Sequence, residues 1–144
     1  TSGVGRDAAT QAIGRGAARL LGDLGFAVIA EFDLPTGRRL DLLGLGRDGE
    51  LVAVEVKSCA ADFKTDLKWP EYREYADRLF FAVDDRFPRE LLPEDIGLIV
   101  ADAFGGAVLR AAPSHPLPAA RRKALTLRAA RTAAFRLERR AAME

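Results

Sequence analysis

The segment RRLDLLGLGRDGELVAVEVK, residues 38–57, predicts two apolar strands joined by the polar turn GRDG at 46–49. An Asp-Gly link between two apolar runs is typical of a β-hairpin. These otherwise apolar strands contain three charged residues, Asp41, Glu55 and Lys57. A charge inside a sheet costs free energy unless it is paired, bound to a metal or exposed to solvent. The hairpin is therefore the first place to look for a functional site.

The rest of the chain supplies further elements on both sides of the hairpin. Asp7 is a suitable N-cap for a first helix, and PSHPLP at 113–118 predicts an extended linker before the last helix. The pattern predicts, in order, a helix over 8–21, strands over 26–34, 40–45 and 51–57, a helix over 70–75, strands over 79–83, 97–101 and 107–111, and a helix over about 119–141. This order predicts one α/β domain over residues 1–144, with a mixed sheet flanked by helices.

Composition excludes several classes of protein. The chain has 144 residues, 49% hydrophobic residues and a net charge of only +1, which is typical of one globular domain. Residues 119–144 carry a net charge of +6 and residues 1–118 carry −5, so the last helix is the basic part of the chain. Cys59 has no second cysteine to pair with, and no apolar run approaches the ~18 residues of a membrane span. With no signal-peptide pattern, these features predict a cytoplasmic protein outside the membrane.

The charged residues of the hairpin fit one kind of chemistry. Alternation along strand 51–57 puts Glu55 and Lys57 on the same face, and pairing across the turn would bring Asp41 close to Glu55. Two neighbouring carboxylates repel each other, and one takes up a proton unless a cation intervenes. Carboxylates suit Mg²⁺ or Mn²⁺, which bind through one or two of them plus water and a substrate phosphate. With Lys57 orienting a water or neutralising a phosphate, the pattern predicts a site that hydrolyses phosphodiesters.

A structural interpretation of the same residues needs no catalysis. Glu55 and Lys57 would form an ion pair at the end of a strand, and Asp41 would be solvated. Such exposed pairs are common and contribute little stability. The position of both acids on consecutive strands, after one helix and before another, favours the catalytic interpretation.

The motif and its surroundings resemble a known group of enzymes. Asp41 and Glu55-Val56-Lys57 are similar to the D…E-x-K motif of the PD-(D/E)XK nuclease superfamily, although Leu40 replaces the proline before the first acid. Four blocks in order also resemble the MmcB-like DNA repair family: GRRLDLLGLGRDGELVAVEVKS, DFKTDLKWPEYREYADRLFFAV, LLPEDIGLIVADAFGG and HPLPAARRKALTLR. This resemblance implies a restriction-endonuclease-like three-layer α/β/α core and a role in DNA repair. It also implies that Asp41, Glu55 and the Val56 carbonyl bind the metal and that Lys57 is the catalytic lysine.

Other polar residues are candidates for the edge of this site. Related nucleases often add an acid or a glutamine from the first helix, which makes Gln11 a candidate, with Glu31 as its rival. Ser58 follows the lysine and is a candidate hydroxyl. Four further side chains are predicted to contact DNA: Arg15, Lys64, Lys68 and Trp69. The structural alternative is that the charged side chains are simply solvated and that the aromatic residues of 69–75 cover the sheet.

The last helix combines apolar and basic residues. A 3-4 spacing predicts that one stripe of it is buried, namely Leu127, Ala130, Ala134, Leu137 and Ala141. Four arginines, Arg121, Arg128, Arg131 and Arg139, would then lie on the opposite side, either solvated or in contact with DNA.

The sequence therefore predicts a Mg²⁺- or Mn²⁺-dependent endonuclease that acts on structured or damaged DNA in repair, with a homodimer as a further candidate assembly. The alternative is a non-catalytic DNA-binding or adaptor protein that retains the nuclease fold. A third option is a structural subunit that recruits a partner through its last helix. Intact Asp41, Glu55 and Lys57 favour the enzyme, since a protein that only binds gains nothing from acids close to phosphate.

Overall fold

The computed structural model describes residues 7–144, which form a six-stranded mixed sheet with helices. The elements are α1 (Ala8–Asp23), β1 (Ala27–Asp33), β2 (Arg39–Leu45), β3 (Leu51–Val56), α2 (Ala60–Thr65), a 3-10 helix (Trp69–Tyr75), β4 (Arg78–Val83), a 3-10 turn (Arg89–Leu91), β5 (Gly97–Ala101), β6 (Gly106–Arg110) and α3 (Ala119–Met143). The strands lie side by side in chain order. β3, β4 and β5 are parallel, and every other neighbouring pair is antiparallel. The predicted α/β class and the order of the six strands are confirmed.

The β2–β3 hairpin forms as predicted. Leu45 pairs with Leu51, and the turn is closed by the Gly46 amide, which donates to the Glu50 carbonyl over 2.8 Å. Gly49 has a φ of 91°, a left-handed conformation that glycine adopts without steric cost. All six residues of β3 are buried, and five of them are apolar, as expected for a strand with both faces covered; Glu55 is the exception.

The sheet has an apolar cluster on each face. Val52, Val54 and Val56 pack with α1, whereas Leu51 and Ala53 belong to a second cluster with Leu125 and Ala129 of α3 and with the 3-10 helix 69–75. The predicted alternation of β3 is therefore confirmed. Both faces of β3 are covered, so the charged groups at its end lie in a largely dry environment.

The start of α1 is fixed by the predicted cap. The Asp7 carboxylate accepts a 2.7 Å hydrogen bond from the Thr10 amide. Further along the helix, Gly16 lies against the turn between β5 and β6, where an added Cβ would stand 1.9 Å from the Asp102 carbonyl oxygen. Only a glycine permits this close approach, which sets the position of α1 on the sheet.

The segment between β3 and β4 differs from the prediction. It contains the extra helix α2, and residues 69–75 form a 3-10 helix instead of an α-helix. Asp66 explains the break between the two, because its carboxylate accepts hydrogen bonds from the amides of Lys68 and Trp69 and so begins the second helix.

The predicted buried stripe of α3 is wrong. Leu127 is 60% exposed and Leu137 68% exposed, and Ala130, Ala134 and Ala141 are also exposed, whereas Leu125 and Ala129 are buried. The predicted side for the arginines is also wrong for Arg121 and Arg128. These two side chains donate to the carbonyl oxygens of Glu74 and Asp33 instead of facing away from the sheet and its neighbouring helices. Arginines therefore share the body-facing side with two apolar residues, and an apolar pattern alone does not reveal that side.

Candidate functional site

Asp41 and Glu55 lie side by side across β2 and β3. The Asp41 amide donates to Glu55 Oε1 over 2.9 Å, and the Val56 amide donates to Asp41 Oδ2 over 2.8 Å. Each carboxylate thus bonds to the backbone of the opposite strand. The adjacency expected from alternation and loop length is confirmed.

Both acids are buried, with exposed fractions of 6% for Asp41 and 5% for Glu55. Burial raises the pKa of Glu55 well above its ordinary value, and the negative charge of Asp41 raises it further. The hydrogen bond from the Asp41 amide and the positive charge of Lys57 act in the opposite direction and are weaker. The alternative in which Asp41 is solvated and Glu55 lies in an exposed ion pair is therefore wrong, because both acids are buried.

Lys57 is buried as well and is held by a partner that the sequence analysis did not identify. Its Nζ donates to Asp66 Oδ2 over 2.5 Å, and the two side chains are only 3% and 13% exposed. Burial by itself would raise the pKa of Asp66, but the bond from Lys57 and the bonds from the Lys68 and Trp69 amides outweigh it, so this pKa is lowered. Asp66 remains ionised and fixes the position of the lysine.

Tyr72 closes the site on the side of the 3-10 helix. It is 5% exposed, and its pKa is raised by burial and then by the carboxylates of Glu55, Asp66 and Asp41. Next to it, Glu71 accepts a 2.5 Å hydrogen bond from Arg38 Nε, which ties the start of β2 to the 3-10 helix. Tyr72 therefore excludes water from the acids and stays a neutral phenol.

The donor set suits a hard divalent cation. When ionised, Asp41, Glu55 and Asp66 carry three negative charges against the single positive charge of Lys57. A net charge of −2 in a buried site is stabilised by a cation, and Mg²⁺ takes one or two protein carboxylates and completes its shell with water and phosphate. Within residues 7–144 no three His, Cys, Asp or Glu side chains are arranged to hold a metal ion by themselves. The residues therefore fit a site with two carboxylates, which needs water or substrate to complete it.

A cavity of about 520 Å³ opens beside Asp41, between α1 and the sheet. It brings Asp41 and Val56 together with three of the predicted candidates, Gln11, Arg15 and Glu31. Gln11 and Glu31, which the sequence analysis treated as alternatives for one additional position in the site, thus line the same cavity. Glu31 has a φ of 51°, which is uncommon for a residue other than glycine, and the β1–β2 ladder lacks a pair where Glu31 faces Asp41.

The other candidate residues lie outside this cavity. The amide of Ser58 donates to Asp62 over 3.4 Å, and the residue is half-buried next to Lys57. Lys64 and Lys68 are exposed on the segment that holds Asp66, so DNA contact by them stays a prediction. Trp69 is half-buried with its ring 5.2 Å from that of Phe81, which agrees with the alternative that it covers the sheet.

Sequence reasoning missed two contributors to the site. Asp66 lies in the run 62–68, where charges alternate in sign as is typical of a solvated segment, although an aspartate three residues before a Trp-Pro pair is a signal for a helix start. Thr10 is buried and lines the cavity from the first turn of α1. Because Thr10 directly precedes the predicted site residue Gln11, the sequence did contain a signal that it lies near the site.

Fold and site together define a mixed α/β protein with a buried pair of acids and a lysine at the ends of adjacent central strands. Comparison with known proteins narrows this class. The family described as DNA repair protein MmcB-like matches residues 2–143, and the chain belongs to that family. The family description suggests a role in DNA repair.

A solved structure shares the fold. The chain is similar to a protein of unknown function from Silicibacter pomeroyi, with 46% sequence identity, a TM-score of 0.86 and coverage of 90% of this chain and 88% of that one. No curated protein matches the chain. Across residues 7–144, none of the helices has both the length and the apolar character needed to cross a bilayer.

Proposed function

We propose that the protein is a metal-dependent DNA endonuclease of the PD-(D/E)XK type that acts in DNA repair. The observation that supports this most is the buried pair of Asp41 and Glu55, bonded across β2 and β3, with Lys57 beside it. Helices against both faces of the sheet agree with a restriction-endonuclease-like three-layer core. Membership of the MmcB-like family supplies DNA as the expected substrate.

Asp41, Glu55 and the Val56 carbonyl would hold Mg²⁺ or Mn²⁺. Such an ion, when bound, lowers the pKa of a water ligand and stabilises negative charge on a phosphate. An ammonium group has three N–H donors, so Lys57 can bond to Asp66 and still donate to a phosphate oxygen or to the attacking water. Asp66 keeps that donor in one place, and Tyr72 keeps bulk water away from it.

One observation favours the adaptor as a second candidate. In residues 7–144 no set of three side chains is arranged for a metal, and both acids and the lysine already bond to the protein itself. A protein that only binds DNA could use these bonds to stabilise the hairpin. The adaptor therefore needs a direct test against the enzyme.

The test is to incubate the purified protein with linear, nicked, flapped and four-way DNA in Mg²⁺ or Mn²⁺. Wild type is compared with Lys57→Ala and Asp41→Asn, and Lys123→Ala, which changes an exposed lysine of α3, serves as a control for a lysine outside the site. A general acid–base or electrostatic group contributes about 10²–10⁴-fold, so both site variants should lose at least about 100-fold in rate. Cleavage that continues unchanged in both variants would exclude this site, and binding without cleavage would favour the adaptor.

A further inference from the structure

The cavity beside Asp41 is larger than a metal ion requires. The cavity measures about 520 Å³, whereas one water needs only about 10–15 Å³ on the same measure. The volume of the cavity is in the range of sites for small organic groups. A second ligand therefore has room next to the proposed metal site.

The walls of the cavity differ from its rim. Most residues of the walls are small or apolar, namely Gly14, Ala18, Ala30, Leu42 and Val56, and buried Thr10 and Asp41 are the polar members. The rim carries hydrogen-bonding groups on exposed side chains, Gln11 and Arg15 from α1 and Glu31 from β1. Apolar walls with a few polar groups at the rim suit a flat heteroaromatic ring attached to a charged group.

The β1 wall is held in a strained conformation by a distant part of the chain. Glu31 is the only non-glycine residue with a positive φ in the described range 7–144. Arg136 of α3 donates to the carbonyls of Ala30 and Glu31 over 2.5 and 2.7 Å. Backbone strain of this kind costs free energy and is typically retained where it serves a site. The shape of this wall is therefore specified by α3 and is not an incidental gap.

We propose that this cavity receives one nucleotide displaced from the DNA helix, next to the phosphate that lies at Asp41. The inference rests on the proposed function for the position of that phosphate. Arg15 would bind a phosphate of the displaced nucleotide, and Gln11 and Glu31 would bond to the edge of its base. A base that stays paired and stacked cannot enter the cavity. The preferred substrate class is accordingly DNA with an unpaired or easily displaced nucleotide.

Binding of bulged DNA tests the inference without any cleavage. Two duplexes are compared in EDTA by fluorescence anisotropy, one fully paired and one with a single 2-aminopurine bulge. Extruding a paired base costs free energy that an unpaired base does not, so wild type should prefer the bulged duplex by at least about 10-fold. Emission of 2-aminopurine, which changes as the base leaves the stack, should change on binding.

The variant Ala30→Trp fills the cavity from an exposed position and should abolish both the preference and the emission change. Gly14→Val fills it from the α1 wall and guards against misfolding of the first variant. Ala27→Trp makes the same substitution on the same strand outside the cavity and should behave like wild type. Equal binding of the two duplexes by wild type, or a preference that persists in both filled variants, would overturn the inference.

The binding assay and the cleavage assay together show which of the two proposals fails. Preference for bulged DNA without cleavage in Mg²⁺ or Mn²⁺ would contradict the endonuclease and support the cavity inference. Cleavage by wild type without any preference would support the endonuclease and contradict the cavity inference. Failure to bind either duplex would contradict the cavity inference, and the cleavage assay in Mg²⁺ or Mn²⁺ would still decide the endonuclease.

Discussion

The surroundings of Glu55 disfavour the ionised form of its carboxyl group. Its side chain is buried beside Asp41, and both facts raise its pKa, so ionising it at neutral pH costs free energy. Between the unfolded pKa of about 4.3 and the raised folded value, the native state binds more protons than the unfolded chain. Stability from this group is therefore present below about pH 4 and is lost as pH rises through the folded pKa. A protein retains such a residue where a cation or substrate compensates for the cost.

Replacing Glu55 by Gln should accordingly stabilise the protein in the absence of divalent metal. Glutamine keeps the acceptor for the Asp41 amide but removes the charge. Removing the charge removes its desolvation cost and its repulsion by Asp41, so the melting temperature should rise, by about 2–4 °C for each kcal/mol gained in a domain of roughly this size. Calorimetry at pH 7 in EDTA should show an increase for Glu55→Gln and none for the exposed control Glu94→Gln. A lower melting temperature for Glu55→Gln would show that the ionised carboxylate stabilises the fold.

At the scale of elements, the position of α1 depends on the contact of Gly16 with the β5–β6 turn. The variant Gly16→Ala places a methyl group against backbone oxygens that cannot move aside, and overpacking of this kind costs about 1–3 kcal/mol. Gly22 lies in the same helix with open space around it, so Gly22→Ala should stabilise by about 0.5–1 kcal/mol. Urea unfolding of both variants measures the difference. Equal stabilisation by the two substitutions would mean that α1 does not approach the turn this closely.

The elements also show how far the sequence determines this fold. Strand β5 and the hairpin agree with prediction because local turns and apolar runs specify them. The stripe of α3 could not be predicted, since its body-facing side uses arginines that bond to carbonyls more than 90 residues away in the chain. Asp66 was missed for a different reason, because charges that alternate in sign along the chain are typical of solvated side chains and do not reveal the bond to the buried Lys57. The pair Asp41 and Glu55 was predictable because one hairpin sets their register.

For the molecule as a whole, Asp77 connects parts of the chain that are far apart in sequence. Its buried carboxylate accepts bonds from the amides of Leu51 and Leu117 and a bidentate pair, each 2.6 Å, from Arg122 of α3. Burial by itself would raise the pKa of Asp77, but these bonds outweigh it and the pKa is lowered. The site hairpin, the linker before α3 and α3 itself are thus joined at one side chain.

Asp77→Asn should therefore destabilise the whole domain. Breaking a buried ion pair costs about 3–5 kcal/mol, and we expect about 2–3 kcal/mol because Arg122 is 31% exposed. Since the folded pKa is lowered, wild type should lose this stability as pH falls below about 4, whereas the variant should lack that part of the pH dependence. Thermal unfolding at pH 7 and pH 3 measures both effects. Asp95→Asn, which breaks the exposed bond with Arg73, is the control and should change little.

The central claim is that Asp41 and Glu55 form a site for a divalent cation, and Mn²⁺ binding followed by electron paramagnetic resonance tests it most directly. Asparagine at position 41 keeps an acceptor for the Val56 amide, so Asp41→Asn should fold while losing a metal ligand. Loss of a residue that only hydrogen-bonds to a metal ligand costs about 10–100-fold in metal affinity, and loss of a ligand itself should cost at least as much. We predict one Mn²⁺ site in wild type and at least about 10-fold weaker binding in Asp41→Asn, with the exposed control Asp85→Asn unchanged. Equal Mn²⁺ affinity in wild type and Asp41→Asn would contradict the account.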